Sequence, residues 1–391
     1  MTEPSFDGLA TRPPSDQRLD VRFTGSGSEY FRIWIVNLLL TLVTLGLYYP
    51  WAKVRRMRYF YGNTVVGSHP LGFHAQPSKM LRGYLLVALL LVLYSVAGQF
   101  SPLAGLVAFV IVAGIWPALL KSSMQFRLAN TSWRGLRFRF RGTVGGAYTA
   151  LLPMFVPGLL FVAAVVAVPD TDQPPAWFGL LALAVGLLTV LLLPWLWWNL
   201  KKYQHDHYAY GPEQTSLAAG TGAFYGIFAK TSGVMLLGLV VLVALIGAIA
   251  VLALGDLRGG RPRLDPVLAF GLGIVVLGLG LLTLHLLPKP YFISRLQNLL
   301  WSRTASHGVR FASALRFWPF FGLTLKNWLL MGCTLGLYWP FAAVATARMR
   351  LEAMHLTMSV DPDTLVDRVR AQQGEAAGEA AGDLFGLDIG L

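Results

Sequence analysis

Apolar residues in this chain run together in six long, nearly uncharged stretches: Tyr84 to Phe100, Leu103 to Leu120, Ala147 to Val168, Trp177 to Trp198, Thr231 to Leu254 and Pro266 to Leu287. A helix needs about 20 apolar residues, rising 1.5 Å each, to cross ~30 Å of hydrocarbon. Each stretch therefore predicts a full transmembrane helix. Two further apolar stretches, Ile33 to Ala52 and Phe317 to Ala345, flank the set. They carry one unit twice: Asn37, Thr44-Leu-Gly46-Leu-Tyr48 and Pro50-Trp51-Ala52 return as Asn327, Thr334-Leu-Gly336-Leu-Tyr338 and Pro340-Phe341-Ala342. An identical pentamer with matching flanks is an internal duplication.

Between the apolar stretches the period changes from unbroken to two. In Asn130-Thr-Ser-Trp-Arg134-Gly135-Leu136-Arg-Phe138-Arg-Phe140-Arg141, apolar and basic residues alternate after a glycine turn, which predicts a hairpin with one buried face. The same form recurs at Asn63 to Phe73, at Arg303 to Phe311 and, more weakly, at Thr215 to Phe224, with a lone strand at Asp20 to Phe23. Such hairpins on one membrane face can pair edge to edge into a sheet.

The chain from residue 20 to 350 thus reads as a membrane domain of five strand-helix repeats, at about 20–68, 69–134, 135–214, 215–308 and 309–358, each with a proline near the end of its apolar segment (Pro50, Pro117, Pro194, Pro288, Pro340). The fold class is mainly α: a polytopic membrane protein with six full transmembrane helices, two duplicated end segments and short cytoplasmic β-hairpins between repeats. If the end segments cross once, strand 20–23 lies on the opposite side from its equivalents. Thr44, Gly46 and Pro50 supply a flexible point and a breaker, which favours re-entrant hairpins at both ends; single spans are the alternative. Residues 1–19 are polar and proline-containing, residues 359–391 acidic and rich in Ala and Gly, so both predict flexible tails, with a short helix possible at the start of the second. The N-terminal residues, with Asp7, Asp16 and Asp20, lack the pattern of a cleavable signal peptide.

Composition agrees: 55% hydrophobic, 13% charged and a mean hydropathy of +0.56 exclude an ordinary soluble domain. The formal charge of +13 falls in juxtamembrane loops and not in a nucleic-acid-binding surface. Loops 53–83, 121–146, 199–230 and 288–316 hold 20 Lys and Arg against 3 in the intervening loops, which makes the basic loops cytoplasmic. Trp51, Lys53, Arg55, Arg56 and Arg58, and later Lys201 and Lys202, mix rings with cations where anionic lipid headgroups lie, so membrane lipids are the expected partners.

The pattern Phe23-Thr-Gly25, Glu29-Tyr30-Phe31, Asn37, Thr44-Leu-Gly-Leu-Tyr48, Pro50-Trp51-Ala52, Arg58-Tyr59 and Asn63-Thr64 resembles the YjgN-like bacterial inner-membrane family. The resemblance covers roughly residues 20 to 350. It implies a multi-pass protein of the bacterial inner membrane and brings no catalytic residue.

Candidate chemistry is sparse. His285 is the one ionisable residue inside the six stretches, close to Pro288 and the interface, where a snorkelling or capping role outweighs a proton relay. His205 and His207 are metal ligands in principle, but at i and i+2, with no third His or Cys nearby, they fit a polar cluster better, and no metal or cofactor is expected. Gly25-Ser-Gly27-Ser-Glu29 lacks the lysine of a phosphate loop and reads as a turn. Gly271, Gly273, Gly278 and Gly280 permit close helix approach. No catalytic constellation appears, so an enzyme acting on lipid is the weakest of three classes. A conduit or lipid-handling protein would use the duplicated ends, Asn37 to Pro50 and Asn327 to Pro340, as paired elements around a site. A scaffold would use the hairpins and acidic tail.

Overall fold

The structure, a computed structural model, describes residues 16–168, 175–254, 265–359, 361, 363–367, 369 and 371. Of the tails expected at 1–19 and 359–391, residues 1–15 and 372–391 lie outside the described residues, as do loops 169–174 and 255–264. Five times the chain leaves along one strand, makes a helical excursion and returns on another. The first circuit is β1 (Gln17–Phe23), α1 (Gly27–Val43), α2 (Tyr49–Gly62) and β2 (Thr64–Val66); the second is β3 (His69–Phe73), α3 (Pro77–Phe100), α4 (Pro102–Ala129) and β4 (Thr131–Trp133). The third is β5 (Leu136–Phe140), α5 (Val144–Leu151), α6 (Val156–Ala167), α7 (Ala176–His205) and β6 (Tyr208–Tyr210). The fourth is β7 (Glu213–Gln214), β8 (Ser216–Leu217), α8 (Thr221–Leu254), α9 (Pro266–Leu286), α10 (Pro288–Ser302) and β9 (Thr304–Ala305). The fifth is β10 (Val309–Ser313), α11 (Phe317–Cys333), α12 (Trp339–Glu352) and β11 (Met354–Met358).

The strands form one antiparallel sheet that closes on itself. Each pairs with its neighbour in the chain, and β11 returns to pair with β1, Gln17 opposite Met358 and Asp20 opposite His355. The remaining ends of the order, β7 and β8, are one stretch of chain interrupted only at Thr215, whose N–H bonds the Tyr208 carbonyl at 2.8 Å. The result is a strand ring in which strands such as β1 and β5 share their length between two neighbours, one half paired to each. Alternation explains it locally: in β5, Leu136 and Phe140 are buried while Arg137 and Arg139 are exposed. The β4–β5 turn places Arg134 and Gly135 at φ 50° and 82°, the paired positive φ values that match strand twist in a two-residue hairpin. Val21, Val66, Trp133, Tyr210, Val309 and Met358 fill the ring.

Two boundaries differ from expectation. β1 starts at Gln17, inside the expected tail, because Leu19 and Val21 are buried in the ring core. Past β11, residues 363–367, 369 and 371 are helical, and Leu365, Val366 and Val369 join that core at 2%, 4% and 8% exposure. They sit at the turn end of the ring, where Asp363 pairs with Arg134 and Val369 lies against Gly211. The acidic composition hides three apolar residues at helical spacing.

Five helical segments among the described residues are long and apolar enough to cross a membrane: Pro77–Phe100, Pro102–Ala129, Val144–Ala167, Ala176–His205 and Thr221–Val251. Their apolar windows are only 6–22% buried, so these side chains face outward. The third is interrupted by a 3-10 turn at Leu152–Phe155, where Pro153 removes an N–H from the helical ladder. The sixth expected span is α9, packed on α8; of its four glycines only Gly280 lies at a close approach, to Leu242.

The end segments are out-and-back hairpins. β1 and β2 pair antiparallel across α1–α2, Val21 opposite Val66, and β10 and β11 pair across α11–α12, geometry that a single crossing forbids. The arms recruit chain on both sides of the motif, so α1, with 17 residues, reaches ~25 Å, well beyond the ~15 Å of a half-segment. The duplicated pentamer is the tip. Thr44 Oγ1 donates to the Leu40 carbonyl at 2.7 Å and accepts from Tyr48 N at 3.0 Å, and Thr334 repeats both bonds. Leu45 and Gly46 take φ of 48° and 90°, Leu335 and Gly336 of 50° and 89°. Both leucines are almost wholly exposed, at 94% and 95%. At the hairpin's base, Ser26 and Glu29 form a capping box on α1, which accounts for the Gly-Ser-Gly-Ser stretch.

Candidate functional site

Asn37 and Asn327 are buried, as an amide in an apolar setting requires, but each bonds within its own hairpin. Asn37 Nδ2 donates to the Ala52 carbonyl and Asn327 Nδ2 to the Ala342 carbonyl, both at 3.5 Å, tying the two arms together. Asn37 Oδ1 accepts from Arg55 at 3.5 Å; Asn327 Oδ1 has no partner among the described residues. The two motifs are neighbours and not a face-to-face pair. α1 packs on α12 through Trp34 against Trp339 (6.0 Å between centroids) and Phe31 against Phe341 (5.8 Å), while Thr44 and Thr334 stay engaged in their own tips. Tyr48 and Tyr338 stack on Trp51 and Phe341, and Pro50 and Pro340, both buried, open α2 and α12.

Two chambers meet here. The ring encloses one of about 590 Å³, lined by apolar strand residues such as Val66, Trp133, Phe138 and Met354, with Arg127 and Arg350 from the helix ends. The other, of about 640 Å³, lies between α2, α10, α11 and α12 and carries Lys53, Arg56, Lys289 and Arg350, with no acidic residue among the described residues that line it. Tyr61, Ala347 and Arg350 line both, so the chambers are contiguous. Arg350 is held in place by Gln297, accepting through Oε1 at 2.8 Å, whose own Nε2 returns to the Arg350 carbonyl. In the ring chamber, burial pushes the Tyr208 phenol from near 10 up to about 12.

The structure sorts the basic candidates. Lys53 and Arg56 face the chamber, Arg56 stacking over Trp339 at 5.2 Å. Arg55 serves Asn37 and Tyr48, and Arg58 donates to the Ala75 carbonyl at 3.1 Å, so both are structural ties. Lys201 lies over Trp197 and bonds Gln204, and Lys202 pairs with Asp206 at 2.9 Å; neither lines the two chambers described above. His205 is buried and meets Thr304 Oγ1 at 2.9 Å; that hydroxyl's proton goes to the Leu300 carbonyl, so His205 Nδ1 is the donor. His207 bonds the Tyr203 carbonyl, and the two rings serve separate contacts. The His285 side chain lies outside the described residues. Lys289, Arg127 and Arg350 were not singled out from sequence; Lys289 and Arg127 belong to the basic loops 288–316 and 121–146, and Arg350 lies beyond all four.

A closed strand ring carrying helices with outward apolar faces defines a polytopic membrane protein. The family described as "Bacterial protein of unknown function (DUF898)" matches residues 18–384, and the chain belongs to it. Among curated proteins it is similar to "Inner membrane protein YjgN" of Salmonella typhimurium, 34% identical over 142 residues, covering 36% of this chain and 35% of the relative. It is also similar to the protein of that name from Escherichia coli K12, 26% identical, covering 45% and 48%. The matches span a third to a half of these relatives' length. They support the bacterial inner membrane as location. No solved structure matches the chain.

Proposed function

We propose that the protein holds an anionic amphiphile of the inner leaflet, headgroup in the chamber between the end hairpins and apolar part in the strand ring. The observation that carries this reading is the contiguity of a chamber lined, among the described residues, by four cations and no acid with an apolar one of about 590 Å³, within the ~300–1,000 Å³ range of ligand sites. Cations near anionic headgroups gain about 1 kcal/mol each at a membrane surface. Five circuits of one strand-helix theme supply the ring, and α9 is its sixth span. The excess of Lys and Arg in loops 53–83, 121–146, 199–230 and 288–316 supports a cytoplasmic ring; reporters fused near Arg141 are then cytoplasmic and those near Ser101 periplasmic. Residues 363–367 and 369 cover the turn end of the ring, which supports a holding site over an open channel.

The test is lipid exchange on purified protein followed by native mass spectrometry. Phosphatidylglycerol is retained over phosphatidylcholine, and Lys53→Ala with Arg56→Ala removes that preference. Equal retention of both lipids by the unaltered protein overturns the reading.

A further inference from the structure

The two copies of the duplicated hairpin have diverged around their asparagines: the last gains a bond from Asn327 Nδ2 to Thr346 Oγ1 at 3.4 Å and loses the donor to Oδ1, and Asn327 lies on the chamber wall. Aligned through their asparagines, Asn37 matches Asn327, Ala52 matches Ala342, and Arg55 matches Ala345. In the first copy the arginine fills the asparagine's acceptor, Nη1 to Oδ1 at 3.5 Å. In the last copy alanine has no donor to offer. Asn327 is 4% exposed, its Oδ1 is buried without a partner, and the residue lines the chamber that holds Lys53, Arg56, Lys289 and Arg350. Turning the amide around would set Oδ1 against the Ala342 carbonyl, which only accepts; as it stands, Nδ2 donates to that carbonyl at 3.5 Å and to the Thr346 hydroxyl at 3.4 Å. None of the four cations reaches the free oxygen.

We infer that Asn327 is a specificity-determining residue of this chamber: its free Oδ1 selects amphiphiles whose anionic phosphodiester also bears a hydroxyl donor. The inference rests on the amphiphile reading given above and adds the chemistry of the head. A phosphate presents only acceptors to its surroundings, which suits the cations and cannot satisfy an amide carbonyl. A hydroxyl two or three bonds beyond the phosphate supplies the missing donor. A site built to pair a hydroxyl rejects the analogue lacking it, because its own buried polar group is then left unpaired.

The experiment compares phosphatidylglycerol with phosphatidylmethanol, equal in charge and differing in the hydroxyl-bearing head, by competition binding to the full chain in detergent micelles. The unaltered protein prefers phosphatidylglycerol about tenfold, the worth of one well-placed buried hydrogen bond. Ala345→Arg restores the first copy's arrangement, keeps every bond Asn327 makes, and brings the ratio to about one; Asn327→Leu does the same if it folds. Equal affinities in the unaltered protein, or a ratio unchanged by Ala345→Arg, overturn the inference and leave the amphiphile reading standing. Binding of neither lipid sinks that reading and the inference with it.

Discussion

The duplicated tips invite a test in which the sign of an effect, and not only its size, is at stake. Gly46 and Gly336 sit at φ of 90° and 89°, where an L-residue's Cβ crowds its own carbonyl at a cost of ~1–2 kcal/mol. Space is not the limit. A Cβ at Gly336 meets nothing within 4 Å, and at Gly46 it meets only the Tyr84 hydroxyl at 3.5 Å, an ordinary contact. The cost of Gly→Ala is therefore conformational and equal in the two copies. Because the tips share no contacting side chain, the double variant loses about 2–4 kcal/mol. Gly233, inside α8, has equal room but helical backbone, and there alanine gains ~0.5–1 kcal/mol. Thermal unfolding of purified protein, followed by tryptophan fluorescence, reads these as falls of a few degrees in Tm at either tip and a small rise at Gly233. A shift of the same sign at all three positions would refute the argument, since solvation or packing would then govern. A harmless Gly46→Ala beside a damaging Gly336→Ala would show that the tips are not equivalent.

Two further outcomes follow from burial. Tyr208 keeps its proton to about 12 in the folded protein and to near 10 when unfolded, so the unfolded state sheds a proton first and stability declines as pH rises between those values; Tyr208→Phe flattens that decline in an alkaline denaturation series. Leu365→Asp places a charge among Val21, Trp133 and Met358, so hydrogen exchange at residues 363–367, slow in the unaltered chain, becomes fast while the strands stay protected.

Much of this was legible from pattern, and what was not has physical reasons. The hairpins at 63–73 and 130–140 declare themselves by period-two alternation around glycine. Their closure does not, because strands of two to seven residues carry no signal of which distant strand completes the sheet. The duplicated pentamer stood out, yet its conformation was hidden: leucine is not a turn residue, and nothing in Thr-Leu-Gly announces positive φ at Leu45. The cost of an unpaired amide accounts for the burial of Asn37 and Asn327, but that argument is silent on which carbonyl satisfies each. Of the basic residues in the returning arm of the first hairpin, Lys53 and Arg56 face the chamber while Arg55 and Arg58 are tied to Asn37, Tyr48 and the Ala75 carbonyl, a division only geometry makes.

The pairing of β1 with β11 sets a clock on biosynthesis. Asp20 leaves the ribosome about 335 residues before its partner His355, which at ~5–20 residues per second leaves one flank of β1 without hydrogen-bond partners for tens of seconds. Such a flank is a nucleus for aggregation. β1 is built to survive the wait: Arg18, Asp20 and Arg22 alternate with its apolar residues and stand outward, charged gatekeepers that discourage a stray strand from another chain. Neutralising them leaves the finished ring nearly untouched and harms the nascent chain, a defect visible in yield and invisible in the melting curve of the molecules that mature.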